Sequence, residues 1–206
     1  MTDHSPFQEA AQQLIAAGRF IDSQGWVPAT SGNFSARLPD GTIAITVSGK
    51  HKGRLQTDDI MRIDADANAL DGKKPSAETG LHTAIYRRFP DINAVLHPHP
   101  INTVLVSRLF NDALVLENYE LLKAFRGIHT HESRIIVPIF ANDQDIPRLA
   151  AIVDAYLDTH PDCYAYIIAG HGLYTWGQSV DETVRYLEAL DFLFACELHL
   201  LGASKR

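Results

Sequence analysis

The chain has only two cysteines in 206 residues, Cys163 and Cys196, and both lie in apolar stretches. Two are too few for a disulfide framework or a cysteine-rich zinc finger, so they read as core residues of a protein from a reducing compartment. No uncharged apolar run reaches 18 residues, and Met1 to Ser5 lacks a basic region followed by a long apolar one. Neither a membrane span nor a secretory leader is therefore expected, and the expected location is the cytoplasm. Positive charge is scarce as well: 18 Lys and Arg against 25 Asp and Glu leave a net charge of −7, with no basic block. That balance argues against a nucleic-acid partner. Neither a Walker A nor a Rossmann glycine pattern occurs, so no nucleotide is implied. Any anionic ligand has to be held by a local site.

What is present is the composition of an ordinary folded domain, 46% hydrophobic and 21% charged. There is no internal repeat, low-complexity segment or linker-like shift, so residues 1–206 read as one domain. Ser5-Pro6-Phe7-Gln8 carries a helix cap, an N1 proline and a capping-box glutamine, which predicts a first helix ending at Gly25. Arg37, the turn at Pro39-Asp40-Gly41 and the alternation of Ile43, Ile45 and Val47 predict a hairpin. Asp64 to Lys74 is polar and reads as loop. Helical patterns follow Pro75 (Leu81, Ile85, Phe89), run over Ile101, Val104, Leu105 and Leu109, and cover Asp145 to Leu157. Strands are expected at Ala94–His97, Ala113–Leu116, Ile135–Phe140, Cys163–Ala169 and Leu173–Trp176. Ser179-x-x-Glu182 opens a long last helix. The irregular alternation and the hairpin signals predict an α/β fold with a central mixed or antiparallel sheet flanked by helices.

Three of the ten histidines stand where chemistry is expected. In an extended segment residues i and i+2 project to one side, so His97 and His99 can aim both imidazoles at a single point, the geometry of a chelate. His171 lies between two glycines at the exit of a buried strand, where a tight turn can present it as a third ligand, and catalytic zinc takes three protein ligands. The pair His129 and His131 repeats the spacing in a loop-like region and is read as non-ligating. His4, His51, His82, His160 and His199 are read as solvated or hydrogen-bonded scaffold. A second constellation suits an anion: Thr30-Ser31-Gly32-Asn33, Ser48-Gly49 and Pro75-Ser76 join hydroxyls and backbone N–H groups to turns or helix starts, with Lys50, Lys52 and Arg54 nearby. A sugar phosphate fits that set. Glu78, just inside the helix after Pro75, and Glu120 are the carboxylates within reach of acid/base work.

Thr30-Ser31-Gly32-Asn33-Phe34-Ser35, Thr46-Val47-Ser48-Gly49, Lys74-Pro75-Ser76-Ala77-Glu78, His97-Pro98-His99 and Gly170-His171-Gly172 together resemble the class II aldolase/adducin family in order and spacing, over nearly the whole chain. The resemblance implies an α/β/α fold and a four-fold homotetramer. It implies one zinc ion per subunit, held at His97, His99 and His171, and a substrate phosphate against Ser31, Gly32, Asn33, Ser48, Gly49, Lys52 and Ser76. Ala29 to Arg37, Glu120-Leu121-Leu122-Lys123 and His171 to Gly177 look like the branch that dehydrates a methylthio-substituted sugar phosphate in methionine salvage. In that branch the position of Glu120 is the acid/base, whereas in the sugar-phosphate aldolases the position of Glu78 is base and metal ligand. Fuculose-phosphate-type aldolases place a tyrosine after a proline in the central strand. Here Ile139 follows Pro138, which argues against aldol cleavage. The alternatives are a zinc-dependent aldolase or epimerase on another sugar phosphate and, outside enzymes, an adducin-like interaction module.

Overall fold

The computed structural model describes residues 5–204. His4 lies outside them. Helix α1 (Pro6–Ser23) starts as its sequence predicts: the Ser5 hydroxyl accepts from the Gln8 backbone N–H at 3.3 Å, and the Gln8 side chain accepts from the Ser5 N–H at 3.0 Å. Such a cap contributes ~1 kcal/mol. The helix stops two residues short of Gly25, whose φ of +74° turns the chain away.

Strands β1 (Asn33–Arg37) and β2 (Ile43–Thr46) form the expected hairpin, and β3 (Ile60–Ile63) adds a strand that the sequence pattern does not announce. Helix α2 (Thr79–Arg88) follows, then β4 (Ala94–His97), α3 (Ile101–Leu109) and β5 (Ala113–Glu117). A 3-10 turn at Glu120–Ala124 leads to β6 (Arg134–Phe140). Helix α4 (Ile146–Thr159), β7 (Ala165–Ile168), β8 (Gly172–Gly177) and the long α5 (Val180–Ser204) complete the order. The strands make one sheet in the order β3-β2-β1-β4-β8-β7-β6-β5. Its neighbours are antiparallel except β6 and β7, which makes the sheet mixed.

Alternation along the strands feeds two cores. Ala94, Leu96, Ile167 and Leu173 pack with Leu14 and Ile21 of α1, Val106 of α3, and Leu187 and Phe194 of α5. Val95, Tyr166, Tyr174 and Trp176 face the other way, onto Leu81 and Ile85 of α2 and Leu149, Val153 and Leu157 of α4. The result is an α/β/α sandwich. Each fully buried aliphatic side chain stabilises it by ~1.5–3 kcal/mol. Cys163 is buried and Cys196 half-buried, both unpaired. Among the described residues no helix is long and apolar enough to cross a membrane.

Helix α3 lies where expected but turns its apolar stripe outward. Ile101, Leu105 and Leu109 are 70%, 44% and 54% exposed, while Thr103, Val106 and Ser107 are buried. Ser107 explains the orientation: its hydroxyl accepts from the Gly170 backbone N–H at 2.9 Å and donates to the Val104 carbonyl at 2.7 Å. The inward polar face of α3 thus ties down the turn that carries His171.

Candidate metal centre

Strand β4 ends at His97, paired with β1 on one side and β8 on the other. The register sets Asn33 opposite His97. Beyond β4 the chain stays extended, with the His99 N–H donating to the Trp26 carbonyl at 2.7 Å and the Leu173 N–H to the Pro98 carbonyl at 3.0 Å. The β7–β8 turn returns His171 to the same place. Two glycines make this approach feasible. A Cβ at Gly172 would lie 2.6 Å from the Pro98 carbonyl oxygen and within 2.8 Å of ring atoms of His97 and His99. A Cβ at Gly32, where φ is +76°, would lie 2.5 Å from the His97 carbonyl oxygen.

The imidazoles of His97, His99 and His171 converge, with ligand nitrogens all within 4.8 Å of one another. His97 is fully buried, its ring stacked on Tyr174 at 4.0 Å between centroids. The Nδ1–H of His97 donates to the Leu173 carbonyl at 3.0 Å, which leaves Nε2 as a bare lone pair. That lone pair faces the Nε2 of His99 at 3.0 Å and the Oε2 of Glu78 at 3.4 Å; the Oε1 of Glu78 is 3.2 Å from the Nε2 of His171. Burial, and then the neighbouring rings, holds His97 well below the usual histidine range; burial, His171 and Lys52 bring His99 to about 4. Both are therefore neutral at physiological pH, the form a metal ligand needs. Lone pairs and a carboxylate crowded around one point are a donor set for a divalent cation, and a carbonyl behind the central imidazole is the usual outer support. These residues fit a metal ion.

A cavity of about 310 Å³ opens beside the histidines, lined by Ser31, Gly32, Asn33, Ser48, Gly49, Lys52 and Ser76 together with Glu78 and His99. Its size is at the lower end of the ~300–1,000 Å³ typical of small-molecule sites. Lys52 is 1% exposed, and its ammonium donates to the carbonyls of Thr30 at 3.0 Å and Lys50 at 2.6 Å; burial lowers its pKa to about 8. The buried Ser31 hydroxyl has no protein partner. Lys50 instead pairs with Asp59 at 2.9 Å, and neither it nor Arg54 lines the cavity.

Two expectations change. Glu78 is not inside the helix: α2 starts at Thr79, and Glu78 sits at the cap position. There its backbone N–H donates to the Ser76 hydroxyl at 3.3 Å and its carboxylate turns to the histidines. Asn33 lines the cavity, and its side chain is already in use, donating from Nδ2 to Glu78 at 2.7 Å while Oδ1 pairs with His82, so it also supports Glu78. Glu120 stands apart, on the exposed 3-10 turn with a 72% exposed side chain, in a concavity that shares no residue with the metal site. Lys123, donating at 2.6 Å, holds its carboxyl below the ordinary carboxylate range. His129 and His131 are outside the cluster, as expected, and among the described residues His97, His99 and His171 alone form such a group.

Comparison with known proteins agrees with this geometry. The family model described as Class II Aldolase and Adducin N-terminal domain matches residues 12–198. The methylthioribulose-1-phosphate dehydratase of Methylococcus capsulatus is 61% identical over 97% of this chain and 98% of its own length. The enzyme of the same name from Pseudomonas syringae pv. syringae is 53% identical over 97% of the chain and 98% of its own length. Among solved structures, the L-fuculose-1-phosphate aldolase of Thermus thermophilus superposes with a TM-score of 0.79 at 23% identity, covering 97% of this chain and 99% of that one. YgbL of Klebsiella pneumoniae gives 0.81 at 23% identity, over 96% and 92%. The converged histidines, the adjoining hydroxyl-rich cavity and the match over most of its length place this chain in the class II aldolase/adducin family.

Proposed function

We propose that the protein dehydrates 5-methylthioribulose 1-phosphate to 2,3-diketo-5-methylthiopentyl 1-phosphate and water, a step of methionine salvage in the cytoplasm. The observation that carries the reading is the convergence of His97, His99 and His171 beside a cavity lined by Lys52 and three serines. The names of relatives more than 50% identical over nearly the full length support the substrate.

The three Nε2 atoms would hold one zinc ion per subunit, which when bound supplies Lewis acidity toward the ketose oxygens. Lys52 and the hydroxyls of Ser31, Ser48 and Ser76 hold the phosphate, with the backbone at Gly32 and Gly49 closing around it. Glu78 is the carboxylate beside the histidines and takes the C3 proton. Glu120 protonates the departing C4 hydroxyl. A single chain sets Glu120 away from its own histidines, so it serves the site of an adjoining subunit, and the working form is a homotetramer. The outward apolar stripe of α3 supports an assembly that covers it.

The test is a dehydration assay on metal-stripped and zinc-restored protein, following diketone formation from 5-methylthioribulose 1-phosphate, with fuculose 1-phosphate and ribulose 5-phosphate as controls. Turnover of the methylthio substrate alone, lost and regained with zinc, is expected. Cleavage or epimerisation of a control substrate without dehydration would overturn the reading, and inactivity toward all three would leave an interaction module.

A further inference from the structure

Behind Glu78 a file of buried polar side chains leads away from the cavity. Asn33 donates from Nδ2 to the Glu78 carboxylate at 2.7 Å, Asn33 Oδ1 meets His82 Nε2, His82 Nδ1 lies 2.7 Å from the Ser35 hydroxyl, and that hydroxyl is 2.8 Å from the Tyr86 hydroxyl. Asn33, Ser35, His82 and Tyr86 are at most 5% exposed. Placing a histidine and three other polar side chains in a core is costly unless every group is satisfied, and here each link has one consistent assignment.

The direction follows from the end that has no choice. A carboxylate only accepts, so the Asn33 amide nitrogen faces Glu78 and its carbonyl oxygen faces His82. His82 Nε2 must then carry the proton. An uncharged imidazole protonated at Nε2 is an acceptor at Nδ1, so the Ser35 hydroxyl donates to it. The Ser35 oxygen in turn accepts from Tyr86. Every donor in the file points toward Glu78.

We infer that Tyr86, Ser35, His82 and Asn33 form a one-way hydrogen-bond chain that positions the Glu78 carboxylate by binding its Oε2, with Oε1 turned toward His171. These are positioning residues, none of which touches the reacting carbons except through Glu78. The inference rests on the proposed function only for the consequence in turnover; the chain and its direction stand on the hydrogen bonds alone.

Two measurements test it. In protein labelled with 15N-histidine, the His82 ring is expected as the neutral Nε2–H tautomer; an Nδ1–H tautomer would reverse the chain and overturn the inference, whatever the substrate. In the dehydration assay, His82→Gln keeps a donor at the place of Nε2, and His82→Asn keeps only an acceptor at the place of Nδ1. His82→Asn is expected to lower kcat by ~10–100-fold, the loss typical of removing an outer support, with KM little changed and His82→Gln within a few-fold of the parent. Equal damage by both variants, or a loss confined to KM, would overturn it. If the parent shows no dehydration, the functional proposal fails and the tautomer still decides the chain.

Discussion

The Leu173 carbonyl on β8 accepts the Nδ1 proton of His97 on β4 at 3.0 Å, so the strand pairing itself decides which nitrogen of the central histidine faces the cavity. Two strands far apart in sequence are thereby joined by a bond that selects a ligand tautomer.

Replacing His97 or His171 by Ala is therefore expected to weaken metal binding by more than the ~10–100-fold that loss of an outer partner costs, and to abolish turnover. Metal analysis of purified protein, at one zinc per subunit in the parent and far below that in the variants, checks it. Retention of stoichiometric metal in both variants would disprove the site.

Glu120→Gln is expected to leave metal content and melting temperature unchanged, because the side chain is exposed, while kcat falls by ~10²–10⁴, the usual weight of an acid/base group. Mixed assemblies of Glu120→Gln and His97→Ala chains should regain activity that neither has alone. Near-parental turnover by Glu120→Gln would remove it from the mechanism.

Lys52 gives the pH dependence. Its folded pKa of about 8 lies below the ordinary lysine value of 10.5. Below about 8 the cation is present in the cavity, and above it the folded protein loses that charge. The kcat/KM for a phosphorylated substrate should fall as pH rises through about 8, and Lys52→Met should flatten that limb. Between about 8 and 10.5 the unfolded chain binds a proton that the folded one lacks, so this lysine makes folding more favourable as pH rises there. A pH–rate profile unchanged in Lys52→Met would refute the assignment.

Gly172→Ala sets a methyl group within 2.8 Å of the Pro98 carbonyl oxygen and of the His97 and His99 rings. A loss of ~1–3 kcal/mol is expected, as for other overpacked positions, together with reduced zinc content. Thermal unfolding and metal analysis on the same sample measure both. An unchanged melting temperature with full zinc would show that the three segments are less tightly apposed than described.

Leu105→Glu places a charge in the outward stripe of α3, between Ile101 and Leu109. Light scattering should show the assembly breaking into smaller species while the chain stays folded. A tetramer that survives the change would move the interface elsewhere.

The layer architecture and the candidate histidine cluster were legible because their signals are local: caps at Ser5 and Ser179, alternation at Ile43 and Ile45, and histidines at the ends of apolar runs. Strand β3 was not, because Ile60-Met61-Arg62-Ile63 is short, lacks a period of two and is held by its pairing with β2. The face that α3 buries was not legible for a related reason. A stripe of Ile101, Leu105 and Leu109 looks like a core face in one chain, whereas Ser107 is drawn inward by a partner in the β7–β8 turn, 63 residues on. His82 reads as an ordinary hydrogen-bonded scaffold residue; its place in a directed file depends on Asn33 and Ser35 lying across the sheet from α2, which no spacing encodes.

Strand β4 sits between β1 and β8, so its two hydrogen-bonded edges are completed by opposite ends of the polypeptide. During synthesis the nascent chain can pair β1 with β4 early, but His97 gains its Leu173 support only after β8 has left the ribosome. The three-histidine cluster is thereby completed only late in synthesis, and a product that stops before residue 171 lacks both His171 and the Leu173 support of His97.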